Sequence, residues 1–298
     1  MDVPGKLLLF HDVVRLGGFS HAARERGLSH STVSKHIRVL EERLGVQLLR
    51  RTSRAMSLTE EGQLVYDLSR RIGAAFDELF DRLDRRRGEI SGTLRVNSLL
   101  HVGRHLVQPA VAALVRAHPG LRVALTLDDG PLAFHRDGYD VAVRVGLPEE
   151  GSLTARKLCD NDVCLAATEE LLTRAGRLRH PAELADYPTV AYAAGSIEIT
   201  RWPYIDAGDV KTVEVSPVCV VDNGNALLDA VYSGLGVGYV SSFAVRRDLD
   251  EGRLLRVLPD FRLPPYEPVY VLHASRGYAS PKVEAFKREL FVVAEAMA

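Results

Sequence analysis

Cysteine, tryptophan and long apolar runs are scarce in this chain of 298 residues, and each scarcity excludes a class of protein. The three cysteines, Cys159, Cys164 and Cys219, have no metal-site spacing and form no even disulfide framework, which favours a reducing cytoplasm. No run of about 18 apolar residues is present, so the sequence predicts no membrane span. Residues 7–10 are apolar but lead straight into charged residues, which predicts a core helix and not a signal peptide.

Sequence signatures of catalysis are also missing. The chain has no nucleotide-binding glycine motif and no Ser-His-Asp order. His101 and His105 have the spacing of two metal ligands on one helix, but no third ligand lies nearby in the sequence. The chain is therefore predicted not to be an enzyme and to need no metal or cofactor.

Charge, by contrast, is distributed unevenly along the chain. The formal net charge is −1, yet residues 1–59 hold ten basic and five acidic side chains. The remaining residues carry 28 basic and 34 acidic ones. A basic head on an acidic body is typical of a protein that binds nucleic acid with one part and has a second function in the other.

Residues 19–45 have the pattern of two short helices separated by Gly27, as in a helix-turn-helix. Ser29 is placed to cap the second helix by accepting a hydrogen bond from its first backbone N–H groups. Apolar side chains recur on one face of that helix from Val33 to Leu44, and the opposite face is polar and basic. The predicted base and phosphate contacts of this helix are Ser29, His30, Ser31, Thr32, Ser34, Lys35 and Arg38.

The segment that follows is again basic. Residues 48–59 are predicted to form a β-ribbon, or wing, that holds DNA phosphates through Arg50, Arg51 and Arg54. An amphipathic helix pair with a merely solvated polar face is the alternative interpretation of residues 19–45, and the basic wing favours DNA binding over it.

A long helix is predicted next. From Leu64 to Leu83 an apolar stripe continues for roughly six turns, and the arginines of residues 85–87 precede a glycine stop. The stripe packs either on the chain's own core or on a second copy of the chain. A helix of this length between two domains favours pairing, which would hold two DNA-reading heads at the separation that an interrupted palindrome requires.

Residues 92–298 alternate strand and helix patterns, and their βαβαβ order predicts a parallel, doubly wound sheet. The chain is predicted to cross twice between two α/β lobes, as in periplasmic-binding proteins. The overall fold class is α/β, with an N-terminal winged helix-turn-helix, a long linker helix and a two-lobed effector domain. The predicted boundaries are 1–59 for the DNA-binding domain, 60–88 for the linker and dimerisation helix, and 92–298 for the effector domain, with lobe I at about 92–161 and 266–298 and lobe II at about 162–265.

The sequence resembles the LysR-type transcriptional regulators over nearly its whole length. The matching motifs are Gly18-Phe-Ser-x-Ala-Ala, Leu28-Ser-x-x-x-Val-Ser, Ile37-x-x-Leu-Glu-x-x-Leu-Gly-Val-x-Leu-Leu-x-Arg, Leu58-Thr-x-x-Gly62, Asp140-Val-Ala-Val-Arg-Val-Gly146 and Gly234-Leu-Gly-Val-Gly238. The resemblance implies sequence-specific binding of double-stranded DNA, modulation by a small molecule bound between the lobes, and a homodimer or homotetramer.

Ligands of open α/β folds bind beyond the carboxyl ends of strands, often on helix N-termini that favour anions. Ser98 and His101 are accordingly predicted to anchor a carboxylate effector, with Arg144 supplying a cation, and the resemblance also implies effector contacts in the loop that holds Ser98 and His101. The full predicted effector set is Ser98, His101, Asp129, Arg144, Tyr192, Ser196 and Asn223.

Two other functions are alternatives. A redox-sensing regulator would switch through Cys159 with Cys164 or Cys219, although apolar-flanked cysteines are more often packing residues. A solute-binding protein would use the same two-lobed fold, but the DNA-binding head and the lack of a signal peptide argue against it.

Overall fold

A computed structural model describes residues 1–51, 56–87, 90–147, 153–194, 197–274 and 280–297. The chain divides into two compact units. The first contains Met1–Ile90 together with Leu132–Tyr139, and the second contains Ser91–Pro131 together with Asp140–Ala298. Within the part of the chain that the structure describes, no helix combines the length and the apolar character needed to span a bilayer.

The first unit starts with three helices, followed by a two-stranded ribbon and a long helix. In chain order these are α1 (Val3–Arg15), α2 (Phe19–Glu25), α3 (His30–Leu44), β1 (Leu49–Arg51), β2 (Met56–Leu58) and α4 (Glu60–Arg87). The two strands pair antiparallel, with Arg50 opposite Ser57. This arrangement is the predicted winged helix-turn-helix with its linker helix.

A small apolar core joins α1, α2 and α3. Phe10 and Ile37 are fully buried in this core, and the small side chain of Ala22 allows α2 to pack closely. α3 begins at Ser29, whose Oγ accepts a hydrogen bond from the backbone N–H of Thr32 at 3.1 Å. This hydrogen bond confirms the predicted cap at Ser29. At its other end the helix stops at Gly45, which has the left-handed conformation.

The start of α4 is fixed to the wing. Thr59 caps the helix through a 2.9 Å hydrogen bond that its Oγ1 accepts from the backbone N–H of Gly62. A Cβ at Gly62 would lie 2.0 Å from the carbonyl oxygen of Leu48, so only glycine permits this close approach. Tyr66 and Ser69 bury one face of α4, which packs against α1.

The second unit consists of two sheets, a separate hairpin and the helices that cover them. In chain order its strands are β3 (Gly92–Ser98), β4 (Leu121–Leu127), β5 (Val141–Val145), β6 (Leu153–Asn161), β7 (Val163–Ala167), β8 (Thr189–Ala194), β9 (Ile197–Glu198), β10 (Arg201–Asp206), β11 (Asp209–Glu214), β12 (Cys219–Val221), β13 (Val237–Ser241), β14 (Leu255–Val257) and β15 (Tyr266–Ala274). The helices that follow α4 are α5 (Leu100–Val102), a π-helical turn (Gly103–Val107), α6 (Gln108–Ala117), α7 (Phe134–Asp137, in the first unit), α8 (Glu169–Ala175), a 3-10 helix (Pro181–Asp186), α9 (Gly224–Tyr232), α10 (Ser242–Asp250) and α11 (Pro281–Met297).

The two sheets define two lobes of this second unit. One has the strand order β4-β3-β5-β15-β6, and the other has the order β12-β8-β13-β7-β14 with β9 beside β8. The chain leaves the first sheet after Asn161 and returns to it at Tyr266. These two crossings lie between the lobes and, as described below, frame a cavity.

Both sheets are mixed, which corrects the prediction of a parallel, doubly wound sheet. β3 pairs parallel with β4 and β5, but β15 runs antiparallel to β5 and β6. In the other sheet β8 is parallel to β12 and β13, and β7 is antiparallel to β13 and β14. Each crossing between the lobes returns a strand in the opposite direction, so a mixed sheet follows from the double crossing that the sequence predicted.

Candidate nucleic-acid interface and ligand cavity

The solvent-facing side of α3 is polar, as the sequence predicted. Ser31, Lys35 and Arg38 are exposed, and Thr32 and Ser34 are half-buried. Arg38 Nε lies 3.4 Å from Glu42 Oε1 in a surface pair, and such pairs contribute little stability. Because this pair is weak and solvated, Arg38 can exchange it for a phosphate at small cost.

The first turn of α3 is internally hydrogen-bonded. The Ser29 hydroxyl lies 2.9 Å from the Ser31 hydroxyl and 2.7 Å from the Thr32 hydroxyl. The exposed His30 ring lies 5.8 Å from the Phe19 ring, centroid to centroid. The cap therefore orients the hydroxyl groups at the end of the helix that enters the groove in helix-turn-helix proteins.

A buried carboxylate, which the sequence analysis did not single out, ties α1 to the turn before α3. Asp12 is 5% exposed and lies 2.6 Å from Arg26 and 3.1 Å from Arg15. Burial disfavours the charged form, but hydrogen bonds from His11 and Arg26 and the charges of both arginines outweigh it and hold the pKa of Asp12 well below its usual range. Asp12 thus fixes the orientation of the helix-turn-helix.

The wing is attached to α3 through Glu41. Its Oε1 accepts hydrogen bonds from the backbone N–H groups of Leu48, at 2.9 Å, and Leu49, at 3.2 Å. Arg50 is exposed on β1. Arg51 ends this strand, but its side chain, like Arg54 as a whole, lies outside the described part of the chain, so of the three predicted phosphate contacts only Arg50 can be described in full.

A cavity of about 280 Å³ lies between the two lobes of the second unit. Its volume is near the lower end of the roughly 300–1,000 Å³ of small-molecule sites. Apolar walls come from both lobes and include Leu99, Val145, Val163, Leu227 and Val240. Such a cavity between lobes suits a small molecule whose binding favours one arrangement of the lobes over another.

Three of the predicted effector residues line this cavity: His101, Asp129 and Tyr192. The His101 ring stacks on the Phe243 ring, with 5.8 Å between the ring centroids. Burial lowers the pKa of His101 to about 4, so its imidazole is neutral at physiological pH. A Cβ at Gly224 would lie 2.8 Å from His101 Cγ, so glycine leaves the space for this ring. His101 therefore contacts the opposite lobe directly.

Ser98, Asn223 and Arg144 do not line the cavity. Ser98 is fully buried, and Asn223 caps α9 by accepting a 2.9 Å hydrogen bond from the Ala226 N–H. Arg144 donates to Asn97 and to the carbonyl oxygens of Asp128 and Gly130, at 3.1 and 3.2 Å. Ser196 lies outside the described residues.

The predicted carboxylate anchor is thereby corrected. Neither Ser98 nor Arg144 lines the cavity, because both side chains lie in the interior of their own lobe. A carboxylate in the cavity would consequently not meet the cation that the sequence analysis assigned to it.

Five polar residues of the cavity lining are outside the predicted effector set: Asn161, Tyr239, Ser241, Tyr266 and Glu267. Asn161 ends β6, and Tyr266 and Glu267 begin β15, so they lie at the two crossings between the lobes. Burial, and next to it the neighbouring Tyr266, raises the pKa of Tyr239 to about 12. A signal was present in the sequence, because the predicted lobe boundaries fall at these crossings.

Family models match both units of this architecture. The model of the LysR substrate binding domain matches residues 87–292, and the model of the bacterial regulatory helix-turn-helix protein of the lysR family matches residues 5–63. The chain is a LysR-type transcriptional regulator. Its class binds DNA and small-molecule effectors, which are the two functions that the polar face of α3 and the cavity suggest.

Similar proteins span this LysR-type regulator almost completely. The HTH-type transcriptional regulator PtxR of Pseudomonas aeruginosa is 32% identical over 95% of this chain and 90% of its own. The HTH-type transcriptional regulator DmlR of Escherichia coli is 30% identical, with 96% and 93% covered. The solved structure of CrgA, a LysR-type regulator from Neisseria meningitidis, is 28% identical, covers 99% of this chain and 98% of its own, and gives a TM-score of 0.61. The predicted family, fold and regulatory function are confirmed.

Cys159 and Cys164 of this LysR-type regulator lack the surroundings of reactive thiols. Burial, helped by the charge of Asp160, raises the pKa of Cys159 to about 11, and burial also raises the pKa of Cys164. A thiol needs its thiolate form to react, and both shifts disfavour that form at neutral pH. The described residues also bring no three His, Cys, Asp or Glu side chains close enough together to hold a metal ion.

Proposed function

We propose that α3 is the helix that reads bases and that the wing positions it on the phosphate backbone. The proposal rests on one observation: a capped helix with one buried apolar face carries hydroxyl and cationic side chains on its other face. Ser31, Thr32, Ser34 and Lys35 are the base readers of this proposal, and Arg38 is a phosphate contact. Ser29 acts through its cap, and His30 flanks the same end of the helix.

The wing arginines supply the part of the affinity that does not depend on sequence. Exposed Arg50 makes no ion pair with another described residue, so its charge is available to a phosphate. Arg51 and Arg54, which neighbour it in the sequence, extend the same basic segment. Each phosphate contact releases counterions, so this part of the affinity falls as the salt concentration rises.

The protein acts as a homo-oligomer assembled through α4, and a homodimer is the smallest assembly that serves the function. Leu64, Leu68, Phe76 and Leu79 remain exposed on this helix, which disfavours the alternative that the stripe packs on the chain's own core. Paired α4 helices would hold two α3 helices at a fixed separation on an interrupted palindrome.

The cavity between the lobes holds the small-molecule effector. Binding of the effector in this cavity changes the affinity of the protein for its operator or its arrangement on it. An effector can shift this equilibrium only by its differential affinity for two states, typically about 1–3 kcal/mol. The protein is not an enzyme in this proposal, and it works in the cytoplasm, where its DNA is found.

The test is recovery of genomic fragments by the purified full-length protein at physiological salt, followed by sequencing. Enrichment of a few interrupted palindromes, protected in footprints over two neighbouring major grooves, is expected. Diffuse enrichment that disappears uniformly as salt is raised would refute sequence-specific reading by α3. A Lys35→Ala variant that retains the same enriched sites would reassign this residue to phosphate binding.

A further inference from the structure

We propose that the cavity between the lobes binds a small molecule with a positively charged nitrogen group, an ammonium or a guanidinium, carried on a short apolar body. The inference rests on the proposed effector site and names the chemistry that this site accepts. It is drawn from the side chains that line the cavity.

Two carboxylates line the cavity, Asp129 and Glu267. One oxygen of Asp129 accepts a 2.7 Å hydrogen bond from the backbone N–H of Leu100, which orients the side chain. Glu267 makes no hydrogen bond or ion pair with another described residue. A Cβ at Gly146 would lie 2.3 Å from Glu267 Oε2, so a glycine makes room for this carboxylate.

A third acceptor is buried and unpartnered. Asn161 lines the cavity, is 2% exposed, and its Oδ1 has no hydrogen-bond partner among the described residues. A buried polar atom without a partner costs about 1–3 kcal/mol, and this cost would be removed by a ligand that donates to it.

Three tyrosines also line the cavity, Tyr192, Tyr239 and Tyr266, together with the hydroxyl of Ser241 and the ring of His101. Burial raises the pKa of each tyrosine, with the charge of Asp129 contributing at Tyr192 and that of Glu267 at Tyr266. The phenol rings are therefore neutral, and Tyr192 and Tyr266 each lie within the influence of one of the two carboxylates. Neutral phenol rings next to carboxylates are the surroundings that attract a cation through both charge and cation–π contact.

No lysine or arginine is found among the described residues that line the cavity. His101 is neutral, as shown by its lowered pKa, and Arg144 is directed onto Asn97 and backbone carbonyls. An anionic ligand would therefore meet two carboxylates without an opposing side-chain charge.

Three helix N-termini at the cavity act in the opposite direction and must be weighed. α5, α9 and α10 begin there, and a helix N-terminus carries roughly half a positive charge. At α5 the Asp129 carboxylate accepts from the Leu100 N–H. At α9 the Asn223 side chain already accepts from the Ala226 N–H, and at α10 the Ser242 N–H donates to the Asp162 carbonyl. Their partial charges are thus partly satisfied within the protein, whereas the two carboxylates are full charges.

The apolar walls of the cavity determine the chemistry and the size of the remaining part of the ligand. Leu99, Val163 and Leu227 offer hydrocarbon contacts on both sides of the carboxylates. A cavity of about 280 Å³ accommodates an amine with a short alkyl or aromatic body and excludes a folded peptide.

The experiment measures binding of matched amine and acid probes to the full-length protein by isothermal titration calorimetry and thermal unfolding. The pairs are phenethylamine with hydrocinnamate, tyramine with phloretate, and pentylamine with hexanoate; agmatine tests the guanidinium. At least one cationic probe is expected to bind at millimolar concentration or below and to raise the Tm, whereas its acid partner does not. Preferential binding of the acids, or no binding of any cation at millimolar concentration, overturns the proposal.

Variants locate the interaction. Glu267→Gln keeps the size of the side chain and is expected to raise the Kd of the bound cation about tenfold, since a charge-assisted hydrogen bond contributes about twice as much as a neutral one. Asp129→Asn keeps the acceptor for the Leu100 N–H and should act in the same direction. Glu214→Gln, on the exposed face of β11 outside the cavity, makes the same charge change and should leave the Kd unaltered. Equal Kd values for Glu267→Gln and Glu214→Gln would overturn the proposal.

Operator binding by the same preparations separates this inference from the proposed function. A cation that binds without changing operator binding would leave the cation site intact and refute its effector role. An acid that binds and changes operator binding would refute the cation site and leave the effector role of the cavity intact.

Discussion

The substitution Leu68→Glu on α4 is expected to weaken dimerisation strongly without unfolding the chain. Among the described side chains of this helix four large apolar ones are exposed, Leu64 at 61%, Leu68 at 46%, Phe76 at 42% and Leu79 at 50%. Because each is already partly covered within its own chain, dimerisation buries only the remaining part.

The magnitude follows from that remaining area. Full burial of a leucine contributes about 1.5–3 kcal/mol, so half of it gives roughly 1 kcal/mol. In a two-fold symmetric dimer the substitution occurs twice, which removes about 2 kcal/mol and raises the dimer Kd about 30-fold. The glutamate adds the cost of placing two carboxylates close together, so this figure is a lower bound.

Sedimentation equilibrium of the full-length protein measures this Kd directly, and circular dichroism checks that helix content is unchanged. Val210→Glu is the matched control, because Val210 is 66% exposed on β11 and the chemical change is the same. If the two variants had the same dimer Kd as the unsubstituted protein, the reasoning that assigns the α4 stripe to self-association would be refuted.

Further outcomes are expected elsewhere in the molecule. Arg50→Ala should weaken binding to cognate and random DNA alike and lower the salt slope by about one unit in a titration against salt, whereas a loss confined to the cognate site would contradict phosphate binding. Lys35→Ala should cost about 1–3 kcal/mol at the cognate site and leave random DNA unaffected in competition assays. Asp12→Asn should destabilise the head by about 3 kcal/mol in urea unfolding at neutral pH, because it leaves the charge of the Arg15 side chain, which is only 11% exposed, unpaired. The pKa of Asp12 is lowered on folding, so this difference should disappear as the pH falls from about 4 through the folded pKa, and a difference independent of pH would refute the ion-pair explanation. Cys159 should react only slowly with a thiol reagent at neutral pH, since its pKa is raised to about 11, and rapid reaction would revive the redox alternative.

The DNA-binding head could be predicted almost completely from the sequence because its signals are local. A cap at Ser29, the left-handed Gly45 and the regular apolar spacing between them define α3 without any knowledge of the rest of the chain. Asp12 was missed because its partner Arg26 is 14 residues away and nothing in the local pattern connects them.

The second unit was predicted less fully. β6 is an edge strand of its sheet. Exposed charged residues such as Lys157 interrupt its apolar residues, so its sequence pattern is not that of a buried strand. The β10–β11 hairpin contains Pro203 and turns at Ala207 with a φ of +51°, instead of the Asn-Gly or Asp-Gly pair that marks such turns. Both elements depend on neighbours that are distant in the sequence.

Only some of the residues that line the cavity could be predicted from the sequence. Asp129 and Tyr192 follow from the rule that ligands lie beyond the carboxyl ends of parallel strands. Glu267 lies at the beginning of β15, which runs antiparallel to β5 and β6. The rule concerns the carboxyl ends of parallel strands, so it makes no prediction for Glu267. Ser98 and Arg144 satisfied the rule by position, but packing turned their side chains into the lobe.

The close contact between Gly62 and the Leu48 carbonyl makes α4 a lever as well as a linker. The helix has 28 residues and is therefore roughly 42 Å long. With its first turn fixed rigidly to the wing, a tilt of about 5° at its far end moves the head by roughly 4 Å. That displacement is about the 3.4 Å rise of one base pair, so in the proposed dimer a small change of angle between the two α4 helices would shift the heads by a full step along the DNA.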